Sequence, residues 1–381
     1  MCISQPSASS RTRRLLKWTS SFHDDRRGKR SHASLDYVWS KFFLVAGLLL
    51  AACQAEGEEG VIDATYRFKK PANFPEPTYT FKNNPVTPEG FQLGKRLFFD
   101  PILSRDGSVS CNNCHQQGLA FADGPQHPFS IGIDDRLGIR NAPPLANLAF
   151  KEGFFWDGGV THLDFVASNA IANELEMDES LANVIDKLNQ HAEYPALFKQ
   201  AFGIDTITSP FMLHAFSQFM VMMVSANSKY DKYVRNEGET LTDTELQGMR
   251  LFEEKCGACH SGELFSDFSF RNNGISTTFS DEGRARITEH PDDVGKFRVP
   301  SLRNIGRTAP YMHNARFKTL EEVLAHYASG VQESPTLDPL LNGETQRGIP
   351  MTGAEQTQII AFLETLTDYE FIADERFRNT Q

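Results

Sequence analysis

Cys111-Asn112-Asn113-Cys114-His115 decides how the chain must fold. C-x-x-C-H is the pattern that fixes haem through two thioethers and offers the histidine to the iron. A second copy stands at Cys256-Gly257-Ala258-Cys259-His260. The two copies use four of the six cysteines. Neither has the distant His-x(3–5)-His pair that a zinc finger requires. A redox dithiol or a disulfide would explain a lone C-x-x-C but gives no reason for a histidine after each. The expected cofactors are therefore two covalent haem c groups, with His115 and His260 as iron ligands.

Working outward, each copy follows a helix signal. Thr87 can cap a helix that has Pro88 at its first position and Phe91, Leu93, Leu97 and Phe98 as its buried stripe, up to Asp100-Pro101. Thr242-x-x-Glu245 is a capping box leading through Leu246, Met249 and Leu251-Phe252 to the second motif. Thr319-x-x-Glu322, closed by Gly330, and Thr352-x-x-Glu355 start two more helices. Helical periodicity also marks Leu181 to Leu188 and Phe211 to Tyr233, where Phe216, Phe219, Met220, Met223 and Val224 form a stripe. Residues 118 to 160 are rich in Gly and Pro and read as a long irregular cover over a haem. No alternating strand pattern of any length occurs. The expected fold is mainly α, with two cytochrome c-like domains, one haem each, related by an internal repeat. The charged turn Asn236–Glu239 divides them into residues 86–236 and 237–381.

The N-terminus speaks of export. Phe42 to Ala52 is an apolar run too short to span a bilayer but suited to a signal-peptide core. It ends in Leu50-Ala51-Ala52-Cys53, like the lipobox of bacterial lipoproteins. Residues 1–53 thus read as a basic extension plus lipoprotein signal, with Cys53 as a lipid anchor to a membrane facing the periplasm. Residues 54–85, with Pro71, Pro75, Pro77 and Pro85, read as a tether. Residues 1–52 hold nine Lys/Arg and three Asp. Their removal leaves 29 basic against 46 acidic residues and takes the formal charge from -11 to -17. That balance excludes a nucleic-acid surface and suits a basic redox partner.

Other stretches, in order, resemble the bacterial di-haem cytochrome c peroxidase family, including its MauG-type enzymes. They are Leu97-Phe98-Phe99-Asp100-Pro101, Arg140-Asn141-Ala142-Pro143, Phe155-Trp156-Asp157-Gly158, Asn173-Glu174-Leu175-Glu176-Met177, Pro300-Ser301-Leu302-Arg303-Asn304 and Ala309-Pro310-Tyr311-Met312-His313. The resemblance implies hydrogen peroxide as substrate and a small cytochrome c or cupredoxin as electron donor, and it admits a homodimer. It implies Glu176 as the acid–base group that helps break the O–O bond, a kind of help worth about 10²–10⁴ in rate. Without it, Glu176 would read as one solvated carboxylate in an acidic run. The resemblance also implies Trp156 as an electron path between haems, and calcium held by Asn141 and the carbonyls of Thr308 and Pro310.

Two departures from the family pattern bear on chemistry. Ser130-Ile131-Gly132-Ile133 has aliphatic Ile133 where enzymes needing reductive activation carry a distal histidine, so nothing there closes the first haem. Tyr327 stands where those enzymes place a methionine on the second haem, as in the MauG type, and is a candidate sixth iron ligand. Val166 replaces the usual distal-pocket glutamine. His127, Met312, His313 and His326 are further candidate ligands that read better as structural residues. Two alternatives stand beside the peroxidase reading. One is a MauG-like oxidase acting on a protein or organic substrate through high-valent iron, although Glu254 occupies the place of the tryptophan that serves MauG's protein substrate. The other is a non-enzymatic di-haem electron-transfer cytochrome.

Overall fold

The computed structural model describes residues 64–125 and 129–380. The signal segment, Cys53 and His127 lie outside the described residues. Twelve helices occur among the described residues: α1 (Pro88–Phe99), α2 (Cys111–Cys114), α3 (Val166–Ala172), α4 (Leu181–Gln190), α5 (Tyr194–Phe202), α6 (Ser209–Val221), α7 (Lys229–Val234), α8 (Asp243–Lys255), α9 (Ala285–Thr288), α10 (Leu320–Ala325), α11 (Gly353–Glu364) and α12 (Tyr369–Ile372). Strands are confined to an antiparallel pair of two residues each, β1 (Phe270–Arg271) and β2 (Phe297–Arg298). The fold is mainly helical, as the periodicity requires, and no described helix is long and apolar enough to cross a membrane.

Two helix pairs form the frame, and glycine lets each pair close. In the α1–α6 crossing, a Cβ on Gly94 would lie 1.9 Å from the Ala215 carbonyl oxygen and 2.9 Å from Phe219 Cβ. In the α8–α11 crossing, a Cβ on Gly248 would lie 1.9 Å from the Gln358 carbonyl oxygen and 3.0 Å from Phe362 Cβ. Around Phe219 gathers a large core that includes Phe91, Leu97, Phe98 and Phe121; around Phe362 gathers a smaller one with Phe252, Phe265 and Ile359.

The repeat continues outside the helices at a spacing of 157 positions. Asn147 and Asn304 both adopt the left-handed conformation, at φ 61° and 60°, and each precedes a 3-10 turn, Leu148–Phe150 and Ile305–Arg307. Phe155 and Met312 share positive φ, and the bridge Phe154–Val160 matches Tyr311–Phe317. A left-handed asparagine is tolerated because its short side chain bonds locally. Here the Asn147 amide donates to the Ser225 carbonyl and accepts from its N–H.

Three expectations need correction. The described part of the supposed tether, residues 64–85, is packed: Phe74 and Tyr79 are buried in the first core, and the Arg303 guanidinium lies 4.5 Å over the Phe74 ring. Its aromatics anchor it. The helix expected over Phe211 to Tyr233 is two, because Met223, Ser225 and Asn227 bond Asn147 and Asp368 instead of continuing the helical ladder. Ser228 then caps α7 afresh with Asp231. The helix opened by Thr319 changes at His326 into a π-helical turn, His326–Gly330. α5 was not anticipated, although Pro195 near its start and left-handed Gly203 at its end are ordinary boundary signals.

The cores are not divided cleanly at residue 236. Tyr230 packs on the second core, while Phe371 and Phe377, near the end of the chain, belong to the first.

Candidate active site

The first motif is α2, set on its N-terminal side by Ser110, whose N–H and hydroxyl both donate to Asn113 Oδ1. His115 Nδ1 donates to the Phe121 carbonyl at 2.8 Å, and burial lowers the imidazole's proton affinity, so the neutral ring keeps Nε2 as its lone-pair nitrogen. At the second motif, His260 Nδ1 donates to the Phe265 carbonyl at 3.0 Å, and burial again favours the neutral ring. No disulfide joins the four motif cysteines. Burial pushes Cys111, Cys114 and Cys256 up to about 12 and raises Cys259. Redox dithiols need the opposite shift. Neutral thiols beside an imidazole with one fixed N–H fit a covalently held haem in each half, with His115 and His260 as its iron ligands.

Glu176 sits at the first motif. Its charge is felt by both Cys111 and Cys114, and burial pushes its carboxyl up to about 7, offset in part by the Asn173 amide, which donates to Oε1 at 2.7 Å. Ile133 is buried, and its N–H donates to the Glu176 carbonyl at 2.9 Å. Gly132 allows that approach, since a Cβ there would lie 2.2 Å from the Leu175 carbonyl oxygen. Behind them, Asp178 takes Arg105 at 2.8 Å and Arg136 at 3.2 Å, which fixes the loop from outside. The segment thus presents a carboxylate poised near neutrality beside an apolar side chain that offers iron nothing. Val166 opens α3 and packs against the first core.

Tyr327 sits at the second motif. It lies in the π-helical turn, and burial pushes its phenol up to about 12, against the Asn273 side-chain hydrogen bond, which pulls it down. A phenolate there needs a cation to offset burial. Asn273 gathers the surrounding candidates: its carbonyl meets His326 Nε2 at 3.0 Å, its amide reaches Met312 Sδ at 3.3 Å, and its side chain bonds Tyr327. His326 and Met312 are therefore held by protein groups.

Trp156 joins the halves. Its indole N–H donates to the Asn141 carbonyl at 2.8 Å, and its ring stands 6.4 Å from that of His313 in an edge-on contact. His313 stacks on Phe297 at 3.5 Å, and burial pushes it down to about 4. Trp156 and His313 are 157 positions apart, as are Asn141 and Arg298. The backbone bonds are reciprocal: Asn141 N–H donates to the His313 carbonyl at 2.8 Å and Arg298 N–H to the Trp156 carbonyl at 2.7 Å. Arg140, paired with Asp157 and Asp281 at 2.6 Å each, locks the junction. This exchange was missed from sequence, although the constant spacing between R-N-A-P (140–143) and F-R-V-P (297–300) was there to be counted. Asn141 and Pro310 do meet, with Asn141 Nδ2 at 2.5 Å from the Pro310 carbonyl. A cation between them requires the amide turned so that Oδ1 faces that carbonyl. Among the described residues no group of three or more His, Cys, Asp or Glu could hold a metal, so any cation here would depend on neutral oxygens.

Comparison with known proteins agrees with this geometry. Residues 88–239 match the family described as di-haem cytochrome c peroxidase. The chain is 35% identical over 307 residues to the methylamine utilization protein MauG of Methylorubrum extorquens, covering 79% of this chain and 83% of that one. It is 33% identical over 293 residues to the cytochrome c551 peroxidase of Nitrosomonas europaea, covering 74% and 82%. Among solved structures, a MauG-like protein associated with microbial copper homeostasis superposes with a TM-score of 0.75 at 32% identity, over 82% of this chain and 99% of that one. The diheme peroxidase BthA of Burkholderia thailandensis shares the fold, with a TM-score of 0.65 at 24% identity over 76% and 88%. With its two haem motifs placed as described, the chain belongs to the di-haem cytochrome c peroxidase family.

Proposed function

We propose that the protein reduces hydrogen peroxide to two waters at the His115 site, with two protons and two electrons supplied through the His260 site by a small cytochrome c or cupredoxin. The observation that carries this reading is Glu176, a carboxyl poised at about 7 beside Cys111 and Cys114. When bound, the haems supply the iron redox chemistry. Glu176 takes a proton from one peroxide oxygen and returns it to the departing one, with the Asn173 amide holding Oε1 in place. Ile133 keeps the pocket apolar and gives iron no ligand, so peroxide needs no prior reduction of the second site. Trp156 and its contact with His313 provide the path between halves.

A second reading rests on Tyr327. An anionic oxygen ligand on the second iron favours its oxidised form, which suits oxidation of a protein or organic molecule in the manner of MauG. Turnover of peroxide with a panel of reduced cytochromes and cupredoxins separates the two. Fast donor oxidation that falls about 10²-fold in Glu176→Gln, with both haem spectra intact, supports the peroxidase. An unchanged rate returns Glu176 to a solvated carboxylate. Resting protein that binds neither cyanide nor peroxide would make the chain an electron-transfer cytochrome.

Three further assignments belong to the same reading: calcium between Asn141, Thr308 and Pro310, one haem domain in each of residues 86–236 and 237–381, and a periplasmic location through a lipid anchor at Cys53. A Cys53→Ser chain that stays with the membrane would remove the anchor.

A further inference from the structure

The halves diverge at one pair of matching places. Asn141, Thr308 and Pro310, the neutral oxygen donors of the calcium proposal, have Arg298, Lys151 and Gly153 as their counterparts 157 positions away. Arg298 thus stands where the repeat elsewhere has the Asn141 side-chain oxygen, and a second cation, Lys151, is the counterpart of Thr308. The backbone frame is shared through the reciprocal Asn141 and Arg298 bonds, and glycine admits the larger group: a Cβ on Gly153 would lie 2.4 Å from Arg298 Nη2.

Neither cation makes an ion pair among the described residues. Arg298 Nη1 donates to the Phe268 carbonyl at 3.1 Å, the guanidinium lies 4.5 Å over the Phe270 ring, and its Nε is buried without a partner. Asp157 and Glu152 attract Arg298 from farther off, but Asp157 is already held by Arg140. Burial pushes the Lys151 ammonium down to about 8, and the Arg298 charge adds to the shift. Arg284, 4.3 Å from the Phe270 ring, spends Nη1 on the Asp157 and Gly158 carbonyls. Like charges brought together without an anion repel each other, and a carboxylate between them would offset that repulsion. The Arg298 strand runs directly into Pro300, whose backbone meets the His260 ring, and Phe268 lies in the loop that follows His260.

We infer that Lys151 and Arg298 receive a propionate carboxylate of the haem held by Cys256 and Cys259. This rests on the di-haem reading. The cations offset the propionate's negative charge and so favour the reduced iron of the second half. That opposes the pull of Tyr327.

The test is an optical redox titration of the haem-loaded protein carrying Arg298→Gln or, separately, Lys151→Met. Each change is expected to lower the reduction constant of the second haem about tenfold, or ~59 mV for a one-electron couple, and to leave the first haem unmoved. Arg298→Lys should recover most of the shift, which a purely structural role would not. Unmoved potentials in both variants overturn the proposal. So does a wild-type potential that shifts saturably with added sodium acetate, because a groove of about 640 Å³ opens beside Arg298 and would then supply a soluble anion. An intact mass with fewer than two haems would instead overturn the di-haem reading itself.

Discussion

Beside Cys111 and Cys114 the chain places Glu176, tied through the backbone to Ile133, and beside Cys256 and Cys259 it places Tyr327 in a π-helical turn bonded to Asn273. Both regions hang from the same frame: a helix crossing closed by glycine, a left-handed asparagine and an imidazole whose Nδ1 is fixed on a carbonyl. The scaffold is repeated, and the groups beside the two motifs are not. One half offers a carboxyl raised to about 7 and the other a buried phenol. The two halves therefore differ in two short segments, and substitutions can address frame and site separately.

The largest effect should come from the joint between the halves. Arg303 is 2% exposed and reaches both oxygens of buried Asp231 at 2.8 Å. Arg303→Met leaves that carboxylate uncompensated and should cost about 3–5 kcal/mol, read by denaturant unfolding of the haem-loaded protein. Because Arg303 holds Asp231 below the usual carboxylate range, stability should also fall as pH drops through the carboxylate region, and the variant should lose that dependence.

Next comes the proton carrier. Glu176 must be ionised to accept a proton, so turnover at limiting peroxide should rise as pH increases through about 7, and Glu176→Gln should flatten that profile. The same raised pKa makes the folded chain less stable as pH rises from 4.5 to about 7, since the unfolded carboxyl ionises first. A profile unchanged by the substitution would break the contrast with the second half.

A smaller and deliberately symmetrical effect tests the frame. Gly94→Ala and Gly248→Ala each force a methyl against a helix carbonyl and should cost similar amounts, about 1–3 kcal/mol. Markedly unequal melting shifts would show that the crossings are not equivalent. Last, Tyr327→Phe should leave stability nearly unchanged while altering the absorption spectrum and potential of the second haem alone. An unaltered spectrum would reduce Tyr327 to packing.

Much of this was legible because haem attachment and helix capping are local signals. The boxes at Thr242, Thr319 and Thr352 form as read, since each needs only four residues to be satisfied. Glu176 was visible only through its motif; its shift depends on burial beside residues about sixty positions earlier. The break at Met222 was hidden because an apolar run looks the same whether it continues a helix or leaves it to bond Asn147. The packed segment before Thr87 was misread for a related reason: four prolines suggested an exposed chain, while Phe74 and Tyr79 find their partners far downstream.

Phe371 and Phe377 complete the core built around Phe91 and Phe219. On a chain emerging N-terminus first, that core stays open until the final residues arrive. Cys111 and Cys114 are thus presented for haem attachment on an unfinished half, whereas the helix pair of the second half is already complete by Glu364. Cutting the chain after Leu366 should therefore injure the distant first half more than the half to which those last residues are joined.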